Sequence, residues 1–347
     1  MLAPRSPSDT EVGASGQFIG VDVGGTKVAL ATLEDERLSE PSVRPTDAAS
    51  ADGLIKEVVA GVDAARTART QAVGVGAPSI VEFATGRVRS SVNLHLADFD
   101  LRGVLEDRLG LPVFVDNDAT VAAIGEAFDD GGRAMVENLV MFTVGTGVGG
   151  GLVLGGRVYR GSTGAAAELG HTMIGAHFDG GPPVAAGFPQ TGSLESLAAG
   201  RVLDHIGAEI ASERPDSALG QLAAGRERID GHDVVRLAHQ GDPDAVGALR
   251  VLGERLGIGI ANAINTFDPD EVVIGGGVSV AGDLLLGPAR ETAHRFVLPG
   301  VGERTEIRLA THRGDAGVRG AALLAALEFA RGEEAFASPR TKVESAS

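Results

Sequence analysis

Two related α/β domains are the fold that this sequence predicts, on three observations. Short apolar runs end in glycine turns, as buried strands do. Segments with apolar residues at helical spacing lie between them. A plan of strand, Gly/Thr turn and strand occurs twice, at Phe18 to Leu33 and again at Val140 to Tyr159. A duplicated β-hairpin with helices between predicts two domains facing one cleft, with the middle turn of each half pointing into it.

The elements follow in order. Gln17 to Val23 reads as a buried strand because Phe18, Ile19, Val21 and Val23 are apolar, and Val28 to Leu33 is its hairpin partner. Ser50 to Ala68 is expected to be helical, with Leu54, Val58, Val59 and Val62 on one face. Ala72 to Val75 is a short strand, Leu101 to Leu109 a helix and Pro112 to Val115 a strand. After Asp116-Asn117-Asp118, Val121, Ile124, Gly125 and Phe128 mark a helix face. Leu139 to Val144, Leu152 to Leu154 and Arg157 to Tyr159 are strands. Ala176 to Gly192 is rich in Gly and Pro and reads as a loop, and Ser193 to Ile210 as one helix. Asp244 to Phe267 is a long helix, whose Gly253, Gly257 and Gly259 lower helix propensity and so imply close packing. Glu271 to Ile274 is a strand entering Gly275-Gly276-Gly277. A helix at Gly282 to Phe296, a strand at Thr305 to Ala310 and a helix at Ala316 to Arg331 complete the pattern.

Composition narrows the function. The 347 residues leave room for two domains, and 43% of them are hydrophobic, enough for a substantial core. The formal charge of −17 disfavours binding to nucleic acid or to anionic membrane. There are no cysteines, which excludes disulfides, thiol nucleophiles and cysteine-ligated zinc. No apolar leader segment and no apolar run of about 18 residues is visible, so a soluble cytoplasmic protein is expected.

Four motifs carry chemistry. Asp22-Val23-Gly24-Gly25-Thr26-Lys27 lies between two strands. Its glycines let backbone N–H groups approach a phosphate, and its Asp can hold magnesium through water. A plain hairpin turn with a capping Asp accounts for it equally well. Gly145 to Gly150 fits G-x-G-x-x-G, but a strand and not a long helix follows, so a dinucleotide fold is disfavoured. A phosphate-cradling turn and a merely flexible loop both remain. Asp116-Asn117-Asp118 abuts a helix start. One residue is enough to cap it, which leaves side chains for a polar ligand or a general base. Glu168, His171 and Glu195 each read alone as solvated or hydrogen-bonded side chains, and a metal site lacks the HExxH pattern; together with Asn117 and Asp118 they form a set suited to a polyhydroxylated ligand.

In combination, DVGGTK at 22–27, DNDATVAAIGEA at 116–127, FTVGTGVGGG at 142–151, AELGH at 167–171, GSLES at 192–196 and NTFDPDEVVIGGG at 265–277 resemble the ROK (repressor, open reading frame, kinase) family over about residues 18–330. The resemblance is to its sugar kinases, of the glucokinase type. It implies the two-domain actin-like ATPase (ribonuclease H-like) fold, with the last helix returning to the first domain. The expected division is 18–117 with 316–331 as the smaller domain and 118–315 as the larger, between flexible tails at 1–17 and 332–347.

The resemblance further implies ATP and Mg²⁺ as cofactors, glucose or a related hexose as substrate, and a homodimer. Asp118 is the implied base for the sugar 6-hydroxyl. Asn117, Glu168, His171 and Glu195 match sugar ligands. Gly24, Gly25, Thr26, Lys27, Gly145, Thr146 and Gly147 match phosphate loops, Gly275 and Gly276 an adenosine-side turn, and Asp22 the acid near metal and phosphates. Two departures stand out. The family's cysteine zinc motif is replaced by AGFPQTGS at 186–193, so no structural zinc is expected, and packing by Phe178 and Phe188 is expected to hold His171 in its place. A Pro-Gly pair is replaced by Pro78-Ser79, in a loop expected to border the sugar.

Competing readings are kinases of N-acetylglucosamine, N-acetylmannosamine, mannose or fructose, polyphosphate as donor, and a glycosidase using Glu168 and Glu195. A sugar-sensing regulator is a further rival, disfavoured by the roughly 17 residues ahead of the first strand, too few for a DNA-binding helix-turn-helix.

Overall fold

The computed structural model describes residues 16–46, 50–91, 94–175, 187–225 and 228–337, with side chains to 332. The chain divides into two compact units, Met1–Met135 with Gly317–Ser347, and Val136–Ala316.

In the first unit, β1 (Gln17–Val23) and β2 (Lys27–Glu34) form an antiparallel hairpin. Two short strands, β3 (Arg37–Leu38) and β4 (Ser42–Pro45), extend β2. Helix α1 (Ala51–Ala65), capped by Ser50, leads to β5 (Thr70–Ala77), which pairs parallel with β1. A small sheet of β6 (Ser79–Glu82), β7 (Arg87–Ser91) and β8 (Phe99–Asp100) was not foreseen from the sequence. Helix α2 (Leu101–Leu109) then returns to β9 (Val113–Asn117), parallel to β5, and α3 (Asp118–Ala127) follows at once. β1 is almost wholly buried, which is why it reads as a continuous apolar run and not as an alternating one.

The second unit repeats the plan. β10 (Leu139–Val144) and β11 (Val148–Leu154) form the hairpin, and β12 (Arg157–Val158) extends it. Helices α4 (Leu194–Ala198), α5 (Gly200–Glu213), α6 (Ala218–Ala224), α7 (Gly231–His239) and α8 (Pro243–Phe267) precede β13 (Glu271–Gly275), which pairs parallel with β10. Helix α9 (Asp283–Phe296) leads to β14 (Glu306–Leu309), parallel to β13. The order β2-β1-β5-β9, antiparallel then parallel twice, is thus matched by β11-β10-β13-β14. Gly253 and Gly257 of α8 do sit where a Cβ would press on the backbone of α9, at 2.6 Å from the Leu285 carbonyl and 2.5 Å from that of Ala289.

Helix α10 (Ala316–Ala337) belongs almost entirely to the first unit. Gly20 of β1 and Gly74 of β5 are cross-strand partners, and both face its backbone at Val318 and Ala321. Two adjacent residues without a Cβ let the helix settle onto the sheet.

Other departures from the sequence reading concern boundaries. The first unit runs past 117 to Met135, because α3 packs with its own sheet. The helix expected over Ser193 to Ile210 is two helices, broken where Ala199 is extended at φ −70°, ψ 158°. The last helix continues to Ala337, beyond the expected start of the tail at 332.

Candidate functional site

In the first unit the site residues gather at one end of the sheet. The β1–β2 turn is held by Gly24 N–H donating to the Lys27 carbonyl at 2.8 Å, and by Thr46 Oγ1 donating to the Gly24 carbonyl at 2.8 Å. Gly25, Thr26 and Lys27 are exposed. A Cβ on Gly25 would meet nothing within 4 Å, and its φ is not left-handed. Neither packing nor backbone conformation demands glycine there. Its bare backbone leaves the side of the turn open to solvent.

Asp22 stands two residues before this turn. Its carboxylate lies against the start of α10, where a Cβ on Gly317 would fall 2.5 Å from Oδ2. Burial, and then the charge of Asp118, push its pKa up to about 7, against the pull of Lys27.

The Asp116-Asn117-Asp118 run divides its labour. Asp116 is buried, and its Oδ1 accepts from the Asn117 N–H at 2.9 Å. Asn117 Oδ1 caps α3 by accepting from the Thr120 N–H at 3.0 Å. Asn117 Nδ2 donates to Asp118 Oδ1 at 3.0 Å and to the Ser79 carbonyl at 3.3 Å. Asp118 Oδ1 also accepts from the Ala119 N–H at 2.8 Å. Burial raises the Asp118 pKa, opposed by these hydrogen bonds. Asn117 is therefore placed to orient Asp118. Ser79 itself is buried, with Oγ 2.9 Å from Ser91 Oγ, so its hydroxyl is spent inside the β6–β7 hairpin.

In the second unit the Gly145-Thr146-Gly147 turn is held by main-chain bonds and by the Glu195 side chain. Gly145 N–H donates to the Gly147 carbonyl at 2.9 Å, and Gly200 N–H, at the start of α5, donates to the Gly145 carbonyl at 2.7 Å. Glu195 Oε2 accepts from the Val148 N–H at 2.9 Å, and Oε1 from Arg201 Nη2 at 3.0 Å. A Cβ on Gly147 would lie 2.5 Å from Glu195 Oε2, so this glycine is what admits the carboxylate. Gly145 is open on its Cβ side, like Gly25.

Glu168 precedes and His171 ends a single 3-10 turn, Leu169–His171, with His171 Nε2 3.7 Å from Glu168 Oε2. An isolated bridge between Met173 and Ser193, and the Leu194 N–H bond to the Thr172 carbonyl at 2.8 Å, fasten this turn to α4 and hence to Glu195. The Phe188 ring meets His171 edge-on, centroids 5.3 Å apart at 82°. Phe178, the other aromatic expected there, lies outside the described residues. Gly276 has φ 83° and abuts the backbone of Val144, which accounts for glycine at that position; Gly275 is the last residue of β13, paired with Thr143. Among the described residues no group of three or more His, Asp or Glu is placed to hold a metal ion.

Sequence reasoning missed Arg201, Thr46 and Gly317. Arg201 is six residues after Glu195, which in one continuous helix would put the two about 120° apart around the axis. Only the break at Ala199 folds it back.

The match to the ROK family covers residues 18–328. The chain belongs to the ROK family. It is 36% identical over 312 residues to a glucokinase of Halalkalibacterium halodurans, covering 87% of this chain and 93% of that protein. It is 34% identical over 315 residues to a glucokinase of Streptomyces coelicolor, 89% and 98% of the two chains. The crystal structure of a ROK family glucokinase from Streptomyces griseus, in complex with glucose and AMPPNP, superposes with a TM-score of 0.76 at 34% identity, covering 89% of this chain and 99% of that one. The duplicated sheets are accordingly those of the actin-like ATPase fold, as the motifs implied.

Proposed function

We propose that this protein is an ATP-dependent hexose kinase that phosphorylates the 6-hydroxyl of glucose. The observation that carries the reading is Asp118: a carboxylate at the start of α3, fixed on one oxygen by Ala119 and Asn117, with its basicity raised by burial. Similarity to glucokinases supplies the substrate.

In this reading the oxygen of Asp118 not engaged by Ala119 and Asn117 takes the proton of the 6-hydroxyl. The sugar oxygen then forms a bond to the γ-phosphorus as the bond to the ADP oxygen breaks. Asn117 keeps the base aimed. Glu168, His171 and Glu195 read the other hydroxyls, with Phe188 fixing the imidazole where cysteine-bound zinc is ruled out by composition. The turns at Gly24–Thr26 and Gly145–Gly147 offer backbone N–H groups to the donor phosphates, with Lys27 as a cation beside the first, and Gly275–Gly276 the adenosine side.

Asp22 suits magnesium held jointly by protein and substrate: a single under-compensated carboxylate beside a bare turn, the kind of site in which phosphates and water complete the shell. Mg²⁺ bound there would neutralise phosphate charge; Asp22 would hold it through water. A cytoplasmic setting accords with a sequence free of cysteine and, among the described residues, with no helix long and apolar enough to cross a membrane.

A coupled ADP-release assay over a sugar panel, repeated with polyphosphate as donor, tests the reading. Glucose should exceed 2-deoxyglucose and N-acetylglucosamine in kcat/KM, because a site built for hydroxyls rejects analogues that leave its groups unpaired. Absence of sugar-dependent ADP release would sink it.

A further inference from the structure

Four hydrogen bonds close a ring around the Gly145–Gly147 turn. The turn bonds to itself, its first carbonyl is held by Gly200, its last residue is followed by Val148 on Glu195 Oε2, and Glu195 Oε1 is held by Arg201. The extended residue Ala199 makes this ring possible, because it starts α5 afresh with Gly200 and Arg201 turned back toward α4. Glu195 is largely buried, at 17% side-chain exposure, and Arg201 is partly covered. A guanidinium is rigid and always charged, so it can fix a carboxylate in one rotamer.

We propose that Arg201 is a positioning residue for phosphate-donor binding: it locks Glu195 onto the Val148 N–H and thereby sets the shape of the Gly145–Gly147 turn. A carboxylate has about four lone-pair sites. Two are used here, so the same Glu195 has capacity left for a substrate hydroxyl. The inference rests on the proposed function in taking this turn as a phosphate site, and it goes beyond it in giving Arg201 a role and in making one carboxylate common to the turn and the sugar.

The test is a double-mutant cycle on the binding of a fluorescent ATP analogue, using the full chain without sugar. Arg201→Met should weaken binding about tenfold, within the range typical of coupled neighbours. Arg201→Lys should return to within about threefold of wild type, since an ammonium can still pair with one carboxylate oxygen. In a Glu195→Gln background, Arg201→Met should change affinity less than about twofold. A loss of stability alone would move the melting temperature without producing this non-additivity. An undiminished Arg201→Met effect in the Glu195→Gln background means that Arg201 touches the donor itself, and overturns the proposal. So does wild-type affinity in Arg201→Met. If no hexose supports ADP release yet nucleotide binding shows the expected cycle, the kinase reading falls and this inference stands. If glucose is phosphorylated and the cycle is flat, this inference alone falls. A wild-type chain that binds no nucleotide defeats both.

Discussion

The two hairpin turns differ in length, four residues against three, and in how the carboxylate beside each is compensated. Val23 pairs with Val28 across one, and Val144 with Val148 across the other. Both carry a glycine open on its Cβ side, Gly25 within the first and Gly145 at the start of the second. The first is held by main-chain bonds and Thr46, and the carboxylate ahead of it, Asp22, is buried beside another carboxylate with only Lys27 in opposition. The second is clamped by a carboxylate already matched to a guanidinium and an N–H. Hairpin sequence alone does not decide charge compensation. What packs beneath the turn does: the glycine-bearing start of α10 in one case, the broken α4–α5 segment in the other.

The contrast makes Asp118 and Asp22 the chemically poised pair and Glu195 the fixed one. The largest expected effect is therefore at Asp118. Asp118→Asn still accepts from the Ala119 N–H but takes no proton. Turnover should fall about 10²–10⁴-fold in the coupled assay, with little change in melting temperature. Near-normal turnover would remove the first unit's claim to the base.

The glycines separate the turns next. Gly147→Ala drives a methyl into Glu195 Oε2, and overpacking of that kind costs about 1–3 kcal/mol. It should lower the melting temperature and raise the KM for ATP together. Gly25→Ala meets nothing, so stability should stay within about 0.5 kcal/mol. Its methyl obstructs only an approaching phosphate, and one lost hydrogen bond of about 1.5 kcal/mol corresponds to roughly a tenfold higher KM for ATP. If Gly25→Ala leaves that KM unchanged, the open turn is not a phosphate cradle.

A further effect is one of pH. The Asp22 carboxyl rises from an unfolded value of 3.8 to about 7 in the folded chain. Between those values the folded state keeps a proton that the unfolded state has lost. The associated stability is complete below pH 3.8 and is lost as pH rises through about 7. Asp22→Asn is neutral throughout. Its melting temperature should match wild type near pH 4 and exceed it progressively toward pH 8. A flat difference across that range would show that the surroundings of Asp22 do not raise its carboxyl.

The sequence by itself determined the duplicated hairpin plan, most strands and helices, and the short-range chemistry at Asp116-Asn117-Asp118. These rest on local causes: buried strands need apolar runs, helices need spacing and caps, and one Asn suffices for the cap. The ROK motifs likewise sit in contiguous strings. The small β6–β8 sheet was not legible, since its strands are short and two of them polar. Nor was the helix break at Ala199, because alanine is the best of helix formers and only tertiary packing makes it extended. The tertiary structure alone decided that Asn117 also reaches the Ser79 carbonyl, that Ser79 turns its hydroxyl to Ser91, and that Arg201 reaches Glu195. The physical reason is the same each time. Which side chain answers a buried charge or a free N–H depends on which backbone passes within about 3 Å of it, and that is settled when distant segments pack, not by their order in the chain.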